Sequence, residues 1–262
     1  MDRRNRSGRR PAAVAVRSTR RRKHSSTQWL SRQLNDPYVA EARRLGYRSR
    51  AAFKLIELDD QFHLLRSGRR VIDLGCAPGG WTQVAVERVG SSNGRGIVVG
   101  IDLAATAPLP GATLLSGDAR DPDTMDVVRS ALGGRVDVVL SDMAPATTGH
   151  AATDHLRIVA LAEDALDLAS QILKSGGAFV AKVFQGGAEG ALLAALRRDF
   201  AHLRHAKPPA SRAESAETYV IATGFRGGRL NGPFREELFP MPPPFIMRRH
   251  RDRRRGWRSG KR

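Results

Sequence analysis

The chain has 262 residues, 41% of them hydrophobic, which is enough for one large domain or two small ones with a buried core and excludes disorder throughout. Its single cysteine, Cys76, excludes an internal disulfide framework and a cysteine-built zinc site, and fits a reducing compartment. The net charge of +18, from 44 Lys and Arg against 26 Asp and Glu, sits almost wholly at the two ends. Residues 1–24 carry +9 and residues 248–262 carry +8, leaving +1 for the stretch between. Both ends lack apolar periodicity, so they are expected to be disordered when free and to bind a polyanion. RNA is favoured over a membrane surface because neither end has an apolar helical face; general solubility is the plainer role for such tails. No run approaches 18 apolar residues and no apolar leader follows Met1-Asp2-Arg3-Arg4, so neither a membrane span nor a secretory signal is expected. The expected organisation is a basic arm over 1–24, a folded domain over 25–228 and a Pro- and Arg-rich tail over 229–262, in a cytoplasmic monomer.

Periodic patterning begins at Ser49, where Ala51, Leu55, Leu58 and Phe62 share a helical face that stops near Ser67-Gly68. Val71–Leu74 reads as a short buried strand running into Gly75, and Trp81–Val89 as the helix after the turn Cys76-Ala77-Pro78-Gly79-Gly80. Strand-like runs follow at Gly96–Ile101, Ala112–Leu115, Val136–Leu140, Ala178–Phe184 and Thr218–Thr223. Helical patterns lie between them at Pro122–Leu132, Asp154–Leu173 and Glu189–Phe200. This alternation predicts right-handed βαβ units, hence an α/β fold with a mainly parallel sheet and helices on both faces. Beyond Gly227-Gly228 the chain turns to Gly, Pro and Arg, and Pro240–Pro244 reads as an extended segment.

In an open α/β sheet, ligands bind beyond the carboxyl ends of the strands. Asp73, Asp102, Asp118 and Asp142 all fall at or beside predicted strand ends. One such acid alone is more often a helix cap, but four in series point to a site. The turn from Asp73 to Trp81 spaces its glycines G-x-x-x-G-G, which is neither the dinucleotide fingerprint nor a P-loop. Pro78 also removes a donor that a pyrophosphate cradle would use. Asp102 lies 22 residues past Gly80, where a carboxylate accepts hydrogen bonds from a ribose diol. An acidic pocket over such a turn suits a nucleoside without phosphates, and S-adenosylmethionine, with a ribose diol, an ammonium and a sulfonium, meets that description. An ordinary glycine-rich βα turn is the alternative.

Five blocks stand in order: Arg48-Ser49-Arg50-Ala51-Ala52-Phe53-Lys54-Leu55, Asp73 through Trp81, Leu140-Ser141-Asp142-Met143-Ala144-Pro145, Lys182-Val183-Phe184-Gln185-Gly186 and Ser211 through Tyr219. Over residues 28–226 the chain thereby resembles the FtsJ/RrmJ (RlmE) family of ribosomal RNA ribose methyltransferases. The resemblance implies a Rossmann-like S-adenosylmethionine-dependent methyltransferase fold. It also implies 2′-O-methylation of a uridine in the A loop of large-subunit ribosomal RNA, in aid of late ribosome maturation. Position by position it implies a catalytic tetrad of Lys54, Asp142, Lys182 and Glu217, and donor contacts at Gly79, Gly80, Trp81, Asp102, Asp118 and Asp142. Cys76 and Ala52 depart from the Ala and the bulky aromatic that the resemblance leads one to expect.

Methyl transfer to a hydroxyl is an in-line displacement in which the proton leaves as the bond forms, and it requires no metal. Lys182 is expected to deprotonate or orient that hydroxyl. A lysine serves as a base only when desolvation or a second cation lowers its pKa, and Lys54 is the candidate second cation and a holder of RNA phosphate. Asp142 and Glu217 would position the ammonium groups. For either lysine alone a surface ion pair is the commoner role. Cys76 is expected to be a packed thiol rather than a nucleophile. His150, His155, His202 and His205 lack carboxylates at ligand spacing, so no metal is expected. Arg43, Arg44, Arg48, Arg50 and Lys54 interleave with Tyr47 and Phe53, either as phosphate and stacking contacts to RNA or as a solvated helix face. Other RNA substrates such as tRNA, and a non-catalytic role in ribosome assembly, share most of these features.

Overall fold

The computed structural model describes residues 34–145, 148–184 and 190–227. Both basic extensions, and Gln185-Gly186 of the block at Lys182, lie outside the described residues. Two helices, α1 (Pro37–Leu45) and α2 (Ala51–Phe62), precede the first strand, β1 (Arg70–Leu74). In chain order there follow α3 (Gly80–Val89), β2 (Ile97–Asp102), β3 (Thr113–Ser116), α4 (Pro122–Leu132), β4 (Val136–Ser141) and α5 (Ala151–Ile172). The remainder is β5 (Leu173–Phe184), α6 (Gly190–Asp199), β6 (Phe200–Ala206) and β7 (Glu217–Phe225). The strands form one seven-stranded sheet in the order β3-β2-β1-β4-β5-β7-β6. Neighbours from β3 to β5 are parallel, and β7 runs antiparallel to both β5 and β6.

Successive strand residues point to opposite faces, and both faces are covered, so the central strands are apolar almost without interruption. Ile72, Val99, Val139, Phe179 and Ala222 pack beneath α4, α5 and α6, while Val71, Val98, Val138, Val180 and Ile221 pack against α2 and α3. The helix starts are marked by short-range chemistry. Asp36 caps α1 by accepting from Tyr38 N at 3.0 Å, Asp121 caps α4 by accepting from Thr124 N at 3.2 Å, and each is followed by a proline that needs no donor there.

The sheet departs from the sequence pattern at its antiparallel edge. The expected helix up to Phe200 ends at Asp199, and Phe200 opens β6 instead. Along β6 only Phe200 is buried, with Leu203 and Ala206 half-buried, a spacing of three that imitates a helix. Helix α5 begins at Ala151, ahead of the expected Asp154, whose Oδ1 accepts from both Thr148 N and Thr148 Oγ1 at 2.8 Å and so ties the helix to the loop before it. Helix α1 lies outside every periodic run marked above.

Candidate active site

Four side chains from four elements meet at the carboxyl end of the sheet. Lys54 projects from the buried face of α2, Asp142 follows β4, Lys182 stands on β5 and Glu217 opens β7. Lys54 Nζ lies 2.7 Å from Glu217 Oε1, and Lys182 Nζ lies 3.0 Å from Asp142 Oδ1. Lys182 Nζ also donates to the Asp142 main-chain oxygen at 2.6 Å. Both lysines are buried, 8% and 7% exposed, which only paired lysines tolerate.

The two ion pairs are joined by a residue that the sequence reading left without a role. Tyr219 O–H donates to Asp142 Oδ1 at 2.8 Å and approaches Glu217 Oε1 at 3.3 Å, and with a single proton the shorter contact is the stronger bond. Ser211 Oγ donates to the same Glu217 oxygen at 2.8 Å. Register accounts for the meeting, because Lys182 pairs with Tyr219 and Phe184 with Glu217 across β5 and β7. Glu217 and Tyr219, two apart, share one face. Burial, and then the charges of Asp142 and Glu217, push the Tyr219 phenol far above its ordinary range, so it stays a donor. Burial also works to raise the Asp142 carboxyl. The charges of Lys182 and Lys54, with hydrogen bonds from Lys182 and Tyr219, outweigh it and hold Asp142 below the ordinary carboxylate range.

A cavity of about 660 Å³ opens over the strand ends beside this network, with Asp102, Asp118 and Asp142 in its wall. Asp102 accepts from Ala77 N at 2.9 Å and from Ala104 N at 2.8 Å, which fixes its carboxylate while leaving each oxygen a second lone pair. Asp118 is held by Arg120, whose Nη2 lies 2.7 Å from Oδ2, and the Arg120 bonds pull its carboxyl below the ordinary range. Gly75, at φ +74°, also lines the cavity, and a Cβ there would sit 2.6 Å from Met143 Cγ. A second cavity of about 280 Å³, walled in part by Lys54, Arg212 and Glu217, flanks the network on its other side.

Gly79, Gly80 and Trp81, expected at the donor, are not among the residues lining the larger cavity. Gly79 has φ +108° and lies under the Arg48 guanidinium. Gly80 lies under Ser49 Oγ, which a Cβ would approach to 2.2 Å. Trp81 Nε1 donates to Ala51 O at 2.8 Å, and its ring stands 5.6 Å from that of Tyr219, so it backs the tetrad. These three residues dock α2 onto the turn. The arginines near them are also engaged: Arg44 pairs with Glu41, Arg50 with Asp36, and Arg48 with main-chain carbonyls. Tyr38, Phe53 and Tyr47 pack ring against ring rather than standing free.

Asp73 is completely buried beneath the turn, with Oδ2 accepting from Thr82 Oγ1 at 2.7 Å and Oδ1 without a partner. Burial, reinforced by the charges of Asp142 and Asp102, raises its pKa to about 7 against the Thr82 bond. The Cys76 thiol is buried, and that burial with the charge of Asp73 pushes it up to about 12, as befits a packed thiol. Among the described residues no three His, Cys, Asp or Glu are grouped to hold a metal, and no helix is long and apolar enough to cross a membrane.

A mainly parallel α/β sheet with an acidic cavity over its strand ends and covering helices on both faces is a Rossmann-like architecture, and likeness to known proteins places it among the methyltransferases of that class. Residues 47–225 match the family described as FtsJ-like methyltransferase, and the chain belongs to that family. It is 63% identical over 222 residues to the "Ribosomal RNA large subunit methyltransferase E" of Paramagnetospirillum magneticum, covering 84% of this chain and 91% of that one. The protein of the same name from Gluconobacter oxydans is 58% identical over 217 residues, covering 83% and 79% of the two chains. Among solved structures, a Plasmodium falciparum chain described as a ribosomal RNA methyltransferase aligns with a TM-score of 0.62 at 30% identity, over 69% of this chain and all of that one.

Proposed function

We propose that this protein transfers a methyl group from S-adenosylmethionine to the ribose 2′-hydroxyl of a uridine in large-subunit ribosomal RNA, in aid of late maturation of the subunit. The observation that carries this reading is the convergence of Lys54, Asp142, Lys182 and Glu217 into one bonded network between two cavities. The names of the similar proteins support the ribosomal substrate, and the +9 and +8 ends supply the charge that a polyanion selects.

The larger cavity fits the donor. Its volume suits a nucleoside-sized ligand, four carboxylates in its wall outnumber the two guanidiniums of Arg120 and Arg157 and so favour a cation, and the turn beside it carries Pro78 in place of a phosphate-binding donor. When bound, S-adenosylmethionine supplies an activated methyl group on a sulfonium. In this reading Asp102 accepts from the ribose diol, Asp118 faces the base, and Asp142 lies on the side of the cationic end. Gly79, Gly80 and Trp81 hold the turn in shape from behind. Lys182 makes two contacts with Asp142, and its third position orients or deprotonates the acceptor hydroxyl. Lys54 and Glu217, on the side of the smaller cavity, steady the acceptor ribose.

Ribose-methylation mapping of RNA from cells lacking the protein tests the reading. One 2′-O-methyluridine of the large-subunit RNA is expected to vanish and to return with the wild-type chain but not with Lys182→Ala. In vitro that variant should bind the donor normally and lose about 10²- to 10⁴-fold in rate. Loss of methyl from tRNA instead, from no RNA at all, or a rate within ten-fold of wild type would overturn the assignment.

A further inference from the structure

The connector between α1 and α2 carries two arginines, two residues apart, that reach in different directions. Arg48 Nη1 donates to Ala107 O at 2.6 Å and to Pro78 O at 3.3 Å, and Nη2 donates to Pro108 O at 2.6 Å. Its main-chain N–H donates to Gln83 Oε1 at 2.6 Å. Pro78 belongs to the glycine turn and Ala107-Pro108 to the loop after β2. Those two loops contribute Gly75, Ala77 and Leu103 to the wall of the larger cavity. Room for the guanidinium depends on Gly79, where a Cβ would stand 2.8 Å from Arg48 Nη1.

Arg50 reaches the other way. Its Nη2 donates to Ala210 O at 2.5 Å, and its Nε forms an ion pair at 3.1 Å with Asp36 Oδ2, the oxygen that accepts from Arg212 Nη2 at 3.2 Å. The next residue, Ser211, donates to Glu217. Arg50 thus braces the loop that aims one carboxylate of the tetrad. Between the two arginines, Ser49 Oγ is buried without a partner against Gly80, so the connector is pressed onto the start of α3 and has little freedom to shift.

We propose that residues 48–50 are a two-armed clasp, in which Arg48 positions the two loops that wall the donor cavity and Arg50 positions Glu217 through Ser211. The assignment rests on the larger cavity being the donor site. Both arginines are positioning residues, acting through loops and not on the reacting atoms. Arginine is needed at residue 48 because a planar fork can serve three carbonyls from two loops at once, whereas an ammonium keeps the charge without that geometry.

The test compares Arg48→Met, Arg48→Lys and Arg50→Met in the full chain, by calorimetric binding of S-adenosylhomocysteine and by methyl-transfer kinetics on large-subunit RNA. Both Arg48 variants are expected to bind the nucleoside about ten-fold more weakly, as the two loops lose their shared tie, while kcat at saturating donor stays within about three-fold. Arg50→Met is expected to keep donor affinity within about two-fold and to lower kcat about ten-fold. Hydrogen exchange should quicken over residues 104–108 in the Arg48 variants alone and over residues 209–217 in Arg50→Met alone. Binding and kcat falling together in every variant would reduce the clasp to general stability and overturn it. So would wild-type affinity in Arg48→Lys, or a loss of RNA affinity with donor affinity intact, which would return Arg48 to phosphate contact. A wild-type chain that binds no S-adenosylhomocysteine would refute the donor site instead, and the exchange pattern would still decide for or against the clasp.

Discussion

Replacing Tyr219 with Phe removes one oxygen from the centre of the network and leaves its framework in place. The ring keeps its contact with Trp81 at 5.6 Å and its position 5.9 Å from Lys54 Nζ, so almost no void is created. What disappears is the 2.8 Å bond to Asp142 Oδ1 and the weaker 3.3 Å approach to Glu217 Oε1. A hydrogen bond to a charged group contributes about 1.5–3 kcal/mol, and water has little room to replace it around so buried a ring. Expressed in the transition state, that amount is about a 10- to 150-fold loss of rate. Donor affinity should be nearly unchanged, because Asp102 and Asp118 are untouched and Asp142 keeps both of its contacts with Lys182. Single-turnover methyl transfer at saturating donor reads the rate, and thermal melting of the same sample reads the fold. A variant within two-fold of wild type in rate and equal in melting point would show that the hydroxyl does not couple the two ion pairs, and the reasoning would fail.

Asp73→Asn tests the buried carboxyl. A folded-state pKa raised to about 7 from an unfolded value near 4 means that the folded chain keeps a proton the unfolded chain has lost, so this group makes stability fall as pH rises through that window and leaves it level above. Relative to wild type, the Asn variant should gain up to about 4 kcal/mol between pH 4 and pH 7, read from urea midpoints, and parallel pH profiles would contradict this. Gly80→Ala forces a Cβ to within 2.2 Å of Ser49 Oγ and should cost about 1–3 kcal/mol, much of it recovered by adding Ser49→Ala; strict additivity in melting experiments would rule out that contact. Asp102→Ala should weaken S-adenosylhomocysteine binding about 100-fold, the equivalent of two charged hydrogen bonds, and an unchanged Kd would remove Asp102 from the diol.

The parallel half of the sheet was legible because its strands are short apolar runs closed by Gly or Asp, with both faces buried. The antiparallel edge was not, since Phe200, Leu203 and Ala206 repeat at a helical spacing along an exposed strand. Lys54 and Glu217 carry no mutual signal across the chain, and the resemblance, not periodicity, brought them onto one list. Tyr219 was within reach, because two residues along a strand from Glu217 is the same face. Gly75 and Ala77 of the glycine turn line the cavity, while Gly79 and Gly80 also make room for Arg48 and Ser49, neighbours that spacing along the turn cannot reveal. The same long-range contacts bring the guanidiniums of Arg48 and Arg50 onto main-chain carbonyls far along the chain, which their spacing does not show.

Because β7 runs against β5 and β6, the described chain begins and ends at opposite poles of the sheet. Asp36, just ahead of α1, bonds Arg212 close to Glu217, so the described chain begins at the end of the sheet that carries the tetrad. The chain leaves the sheet after Phe225, at the opposite pole, roughly 30 Å along a nine-residue strand from Glu217. The described chain therefore enters beside Glu217 and leaves at the far pole, so that a pair of probes at residues 36 and 225 would read the length of the strands.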